Sequence, residues 1–154
     1  MPMAPMAPAF VSVVPPRVAA DLCARLRERA EGGWVSADDL AAVASEVGAP
    51  LSHAYVALGG EPALQLRPRE AVQIAACTGA CQAKGAMALL ERLLELRAER
   101  AAAGQPGIDV VPRGCLNLCE RAPALLSRSD DGVHPHPGVR PEDLAELCAT
   151  LCNG

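Results

Sequence analysis

The sequence contains very few aromatic residues and a single lysine, Lys84. Phe, Tyr and Trp make up 2% of the 154 residues, and nearly all of the basic residues are arginine. The arginines are scattered, and the formal net charge is −4, so the chain lacks the basic face typical of nucleic-acid-binding proteins. No apolar run approaches the roughly 20 residues of a membrane span. The composition therefore predicts a soluble globular protein without nucleic acid or membrane partners.

The N-terminus also lacks the features of an export signal. Residues 1–16 carry several prolines around a short apolar run at Phe10–Val14, without a basic start or a long apolar centre. We therefore expect a cytoplasmic location, where thiols stay reduced, so the seven cysteines are predicted to be metal ligands, reactive thiols or buried apolar residues rather than disulfides. Residues 1–15 show no periodicity and predict a disordered tail.

Residues 16–60 have the pattern of a small helical domain. Apolar residues at helical spacing predict three short helices, from about Pro16 to Ala30, from Ser36 to Gly48, and from Ser52 to Gly59. Ser36 and Ser52 are the predicted N-caps, because a serine hydroxyl accepts a hydrogen bond from a backbone N–H group of the first turn.

Residues 66–154 have a different pattern, in which strands and helices alternate. Strands are predicted at 71–76 and 108–111, with a long helix at 82–102 between them, followed by a hairpin around Asp130–Gly132 and a last helix from Pro141. This order is typical of an α/β, thioredoxin-like domain with a mixed sheet. We expect one helix on each side of that sheet.

Two cysteine pairs directly follow the first two strands of this domain. Cys77 and Cys81 form one pair, and Cys115 and Cys119 form the other. Because the ends of parallel strands emerge at the same edge of a sheet, we expect the two loops to be neighbours. Four thiolates at one point are the ligand set of a 2Fe-2S cluster or of a structural zinc ion.

Two features favour iron and sulfur over zinc. The loops contain Gly79 and Gly114, and their cysteines are separated by three residues, whereas compact zinc sites often have two. Cys81 is expected at the start of the long helix, where free N–H groups and the helix dipole would stabilise a thiolate. From spacing alone, an iron-sulfur cluster, a zinc ion and buried or redox-active thiols all remain open.

Other candidate residues have simpler interpretations. Cys148 and Cys152 lie one turn apart on the last helix and, with Cys23, are expected to be apolar residues facing the core. His134 and His136 are expected in a solvated loop after the hairpin. No phosphate-binding loop, nucleophile motif or paired carboxylates are evident, so we identify no catalytic residues.

The chain resembles the thioredoxin-like 2Fe-2S subunits of complex I-type NADH dehydrogenases and the gamma subunits of NAD-dependent formate dehydrogenases and hydrogenases. The resemblance covers about residues 21–151 and is carried by these motifs: Gly33-Trp34-Val35-Ser36, Cys81-Gln82-Ala83-Lys84-Gly85, Gly114-Cys115-Leu116-Asn117-Leu118-Cys119, Ala122-Pro123 and Val139-Arg140-Pro141-Glu142-Asp143-Leu144.

This resemblance implies a 2Fe-2S cluster held by Cys77, Cys81, Cys115 and Cys119, next to a flavin- and NADH-binding partner subunit. The chain would then be a non-catalytic electron-transfer subunit of an NAD(H)-linked oxidoreductase. The alternative is a structural or assembly module of the same fold that holds zinc or no metal. A thiol redox enzyme is a further alternative.

Overall fold

The computed structural model describes residues 12–116, 118 and 122–153. Its α-helices are α1 (Pro16–Arg29), α2 (Ala37–Val47), α3 (Leu51–Gly59), α4 (Ala86–Ala102) and α5 (Leu144–Asn153). Its strands are β1 (Trp34–Val35), β2 (Gln65–Leu66), β3 (Val72–Cys77), β4 (Ile108–Arg113), β5 (Leu125–Ser129) and β6 (Gly132–His136). Short 3₁₀ helices span Ala80–Lys84 and Pro141–Asp143.

The first two helices begin where the sequence indicates. Proline occupies the first turn of α1, where its missing N–H group costs no hydrogen bond. Ser36 and Asp39 form a capping box at the start of α2, with each side chain bonded to the other's backbone N–H group. Gly48 ends α2 in the left-handed conformation, with φ 75°.

The predicted cap of α3 is wrong. The helix starts at Leu51, its N-cap is Pro50, and Ser52 lies buried inside the first turn. Proline has a fixed φ and no N–H group, so it fits an N-cap without a side-chain hydrogen bond. The helix therefore begins two residues earlier than a cap at Ser52 would place it.

The α/β class with a mixed sheet is confirmed. Four strands lie in the order β4-β3-β5-β6, with β3 parallel to β4 and antiparallel to β5, and with β5 antiparallel to β6. The hairpin between β5 and β6 turns at Asp130 and Asp131. A separate parallel pair joins β1 to β2 in the N-terminal half.

The two helices of the α/β half share one face of the sheet, so the prediction of one helix on each side is wrong. Helix α4 contacts β3, β4 and α5. Leu144 and Cys148 of α5 are buried in the hydrophobic cluster that also contains Ile74 and Leu125 of the sheet. The apolar side of α5 is covered by α4 and this cluster, which leaves the opposite face of the sheet without a helix from this half.

The N-terminal helices pack on one another and on the sheet. Helices α1, α2 and α3 contact each other, and α3 also contacts β4 and α4. One hydrophobic cluster therefore includes residues of both halves, from Leu22 and Tyr55 to Leu90 and Val110. The division into residues 16–60 and 66–154 stays a prediction.

The tail prediction for residues 1–11 lies outside the described residues. From Ser12 onward the chain contacts the body of the protein: Val14 is buried in the core, and the backbone N–H group of Val13 bonds to Gln82. Among the described residues, no helix combines the length and apolarity needed to cross a membrane.

Candidate metal centre

The two cysteine loops begin side by side at one end of the sheet. Cys77, the last residue of β3, is paired in register with Arg113, the last residue of β4. Just beyond, the backbone N–H group of Thr78 donates to the Arg113 carbonyl oxygen at 2.7 Å, and the Thr78 hydroxyl donates to the same oxygen at 3.2 Å. The parallel pairing of β3 and β4 therefore delivers both loops to one place.

The two loops touch through glycines. A Cβ atom placed on Gly79 would lie 2.0 Å from the carbonyl oxygen of Gly114, so no larger residue fits there without moving the backbone. The thiol of Cys77 lies 3.8 Å from the same oxygen. These contacts hold the residues that follow β3 against the residues that precede Cys115.

The cysteines differ in exposure. Cys77 and Cys81 are buried and form a small apolar cluster with Ala86, against which Leu116 and Ala122 pack. Cys115 is exposed. The site therefore has a dry side, made by the first pair, and a side that faces the solvent.

Cys119 lies outside the described residues, so the fourth predicted ligand has no described position. Within the described part of the chain, no group of three or more His, Cys, Asp or Glu side chains is arranged to hold a metal ion. The structure brings the loops of Cys77, Cys81 and Cys115 together. The assignment of these three residues and Cys119 as ligands stays a prediction.

Cys81 does not lie at the start of the long helix, so that prediction is wrong. It belongs to the 3₁₀ helix Ala80–Lys84, which Gly85 separates from α4 by adopting φ 95°. A left-handed residue interrupts the regular α-helix geometry, so Cys81 is outside the first turn of α4. The dipole of α4 therefore gives no direct argument for a thiolate at Cys81.

Gln82 ties the first cysteine loop to the N-terminal segment, and sequence reasoning missed it. Its side chain is only 4% exposed. The amide nitrogen donates to the Thr78 carbonyl oxygen, and the amide oxygen accepts from the Val13 N–H group at 3.1 Å and from the Ser12 hydroxyl at 3.4 Å. Its partners at Ser12 and Val13 are about seventy residues away in sequence, so no local pattern distinguishes this glutamine from an exposed one.

The remaining cysteines lie apart from these loops, in the core. Cys148 is fully buried on α5, and burial, with a smaller contribution from the neighbouring Cys152 thiol, raises its pKa to about 11. Burial also raises the pKa of the half-buried Cys23, and Glu61 adds to this shift. The prediction that these residues face the core holds for Cys148, while Cys23 and Cys152 are partly buried against the same cluster.

The two histidines lie in strand β6 rather than in a loop, so that prediction is wrong. The strand includes Pro135, which fits because β6 is an edge strand. His136 Nε2 lies 2.7 Å from the hydroxyl oxygen of Ser127 on β5. Burial lowers the pKa of His136, and His134 adds to the effect.

A family model identifies the class of this protein. The model of the thioredoxin-like [2Fe-2S] ferredoxin family matches residues 18–151, and the chain therefore belongs to that family. The family supports a 2Fe-2S cluster as the cofactor, and its members are typically subunits of larger oxidoreductases. The comparison with curated proteins gave no significant match.

The described residues fit such a cluster by their chemistry. Thiolates are the preferred ligands of iron-sulfur clusters, and the described loops offer three cysteines around a glycine contact, two of them in an apolar setting. A 2Fe-2S cluster needs two pairs of thiolates. The close approach of the two loops at Gly79 and Gly114 suits that arrangement.

Proposed function

We propose that this ferredoxin is a non-catalytic electron-transfer subunit of an NAD(H)-linked oxidoreductase, with a 2Fe-2S cluster held by Cys77, Cys81, Cys115 and Cys119. The partner is a flavin- and NADH-binding subunit. When bound, the cluster exchanges one electron at a time. A cytoplasmic location is part of the proposal, because thiolate ligands require a reducing compartment.

One observation supports the proposal most strongly: parallel strands bring a buried cysteine loop and an exposed cysteine loop to the same end of the sheet. The apolar contacts of Cys77 and Cys81 with Ala86 and Leu116 exclude water from one side of the site. The exposure of Cys115 leaves the other side accessible to a protein partner. A site that is dry inside and open on one side suits electron exchange between two proteins.

The rest of the domain serves to hold this site. The Thr78 hydrogen bonds to Arg113 fix the relative position of the loops, and the Gln82 hydrogen bonds fix the first loop on the protein body. We propose residues 66–154 as the cluster-binding domain and residues 16–60 as a helical domain that supports it through α3.

The test is to purify the tagged chain anaerobically from its native cells, with whatever subunits remain bound. We expect the complex to release flavin on acid denaturation, and NADH to bleach the visible absorbance of the complex but not that of the isolated chain. A complex without flavin, or a complex whose absorbance NADH leaves unchanged while dithionite bleaches it, would contradict the NAD(H)-linked role.

A matched pair of variants makes this test specific. Cys115→Ser is expected to abolish the NADH-dependent bleaching, since it removes a proposed ligand at the exposed loop. Cys23→Ser changes a thiol of α1 that lies outside the two cysteine loops and bonds to the Ala57 carbonyl oxygen of α3, and it is expected to leave the bleaching intact. Equal behaviour of the two variants would contradict the assignment of Cys115.

A further inference from the structure

One face of the four-stranded sheet carries no helix of the α/β half, and it has an unusual composition. Seven of the residues that alternate onto this face line a single depression: Gln73 and Ala75 of β3, Val111 and Arg113 of β4, Leu126 and Arg128 of β5, and Val133 of β6. Half-buried aliphatic residues lie in its middle, and arginines lie at both ends. We call these seven residues the open face.

The open face continues into a cleft beside the cysteine loops. This cleft, of about 360 Å³, runs between the open face and the segment of β2, and Trp34, Arg113, Gly114 and Arg128 are among its lining residues. Gly114 directly precedes the exposed Cys115. A protein seated in the cleft would therefore lie next to the proposed ligand that faces the solvent.

Two of the three large hydrophobic side chains that are exposed in the described part of the chain lie here. Trp34 is 40% exposed at the cleft, and Val133 is 50% exposed at the far edge of the open face. Tryptophan and arginine are the residue types most enriched at the energetic centres of protein interfaces. Their combination here is typical of a docking surface rather than of a solvated sheet.

The charge of the surface indicates what kind of partner fits. Arg113 and Arg128 have no ion-pair partner among the described residues, although the chain as a whole is acidic. Two carboxylates of the surrounding segments are already engaged: Glu61 pairs with Arg27, and Asp109 accepts hydrogen bonds from the backbone N–H groups of Arg69 and Glu70. Along the strand direction the arginines are four residues apart in register, which corresponds to about 13 Å.

The edge strands of the sheet are poorly suited to pairing with a strand of a partner protein. Both edge strands contain a proline, Pro112 in β4 and Pro135 in β6. Proline removes a backbone donor, so it hinders the addition of another strand. The open face is therefore the more accessible route to assembly at this end of the protein.

We propose that the open face and its cleft bind an acidic surface of the redox partner, with Arg113 and Arg128 contacting carboxylates and Trp34 packing at the centre. This inference rests on the proposed electron-transfer function, since it specifies where the partner docks. Opposite charges speed the encounter and fix the orientation of such complexes. The arginines thereby place the partner next to Cys115.

Trp34 is the only tryptophan and reports directly on occupancy of the cleft. The test titrates cluster-loaded full-length protein with a decaglutamate peptide and follows Trp34 emission. We expect a saturable change that is absent with decalysine and is largely lost in about 0.5 M NaCl, where charges are screened within a few ångströms.

Charge-reversal variants locate the binding surface. Arg113→Glu and Arg128→Glu are each expected to weaken decaglutamate binding about tenfold or more, whereas Arg17→Glu, which makes the same charge change at an exposed position of α1, should weaken it less than about threefold. Equal losses in all three variants, or no saturable binding by the native chain, would overturn the proposal.

Two further outcomes separate this proposal from its alternatives. If sedimentation shows a dimer that Arg128→Glu dissociates, a second copy of this chain occupies the surface, and the proposal of an acidic partner is wrong. The titration requires neither NADH nor flavin. Peptide binding that depends on Arg113 and Arg128, together with failed NADH-dependent bleaching, would therefore overturn only the NAD(H)-linked role. NADH-dependent bleaching without such peptide binding would overturn only the docking surface.

Discussion

Gly79 lies directly against Gly114, so closely that a methyl group on Gly79 would overlap the Gly114 carbonyl oxygen. The contact is asymmetric. A Cβ atom on Gly114 would come no closer than 3.6 Å to its nearest neighbour, the Gly59 carbonyl oxygen, which is an ordinary distance. The close approach of the loops therefore requires a glycine at position 79 but not at position 114. Substitutions at the two positions should have different effects.

Gly79→Ala should separate the two cysteine loops and lower both cluster content and stability. Overpacking against backbone costs about 1–3 kcal/mol or more, and the displaced loop would move Cys77 and Cys81 away from Cys115. Iron per chain and the urea midpoint are the measurements. Gly60→Ala is the control, because a Cβ atom there meets nothing nearer than 3.7 Å. Full iron content in Gly79→Ala would show that the loops need not touch.

Gln82→Ala should destabilise the protein by about 1–3 kcal/mol, because it leaves the Thr78 carbonyl oxygen and the Val13 N–H group without their partner. Urea unfolding at constant pH measures this change. Gln105→Ala, at an exposed position after α4, is the control and should change the free energy of unfolding by less than about 0.5 kcal/mol. Similar losses in both variants would mean that the Gln82 hydrogen bonds contribute little.

The Ser127–His136 pair should make stability depend on pH. Burial lowers the pKa of His136 in the folded state, so the unfolded chain binds more protons just below about pH 6.5. The free energy of unfolding should therefore fall as the pH drops from about 7 toward the lowered pKa. Urea unfolding across this range tests the effect, and His136→Gln should flatten the slope. An unchanged slope in that variant would assign the dependence to other groups.

Cys148 should resist thiol reagents in the folded protein. Its pKa of about 11 and its complete burial leave almost no accessible thiolate at pH 8. Iodoacetamide labelling followed by mass spectrometry should modify Cys148 only after urea is added. Rapid modification of Cys148 without denaturant would show that α5 opens readily.

The features that could be predicted from the sequence are those with a local signal. The capping box at Ser36, the left-handed Gly48 and the two strands that lead into cysteines all follow from residue type and spacing. The placement of the two cysteine loops then follows from one rule about parallel strands. This is why the elements around Cys77 and Cys115 could be located without a structure.

The features that could not be predicted depend on contacts distant in sequence. Gly85 separates Cys81 from α4, whereas the apolar pattern of the sequence predicts one continuous helix from residue 82. The side of the sheet on which α5 lies is decided by its packing on α4, and the Gln82 hydrogen bonds join segments that no periodicity connects. The open face is likewise visible only when the positions of all helices are known.

The most direct test of the central claim is the analysis of iron, acid-labile sulfide and zinc in the anaerobically purified chain. We expect two irons and two sulfides per chain and a visible absorbance that dithionite bleaches. The iron, the sulfide and the absorbance should all be lost in Cys77→Ser, Cys81→Ser, Cys115→Ser and Cys119→Ser but not in Cys148→Ser. A colourless protein with stoichiometric zinc, or full iron content after any of the four ligand substitutions, would contradict this claim.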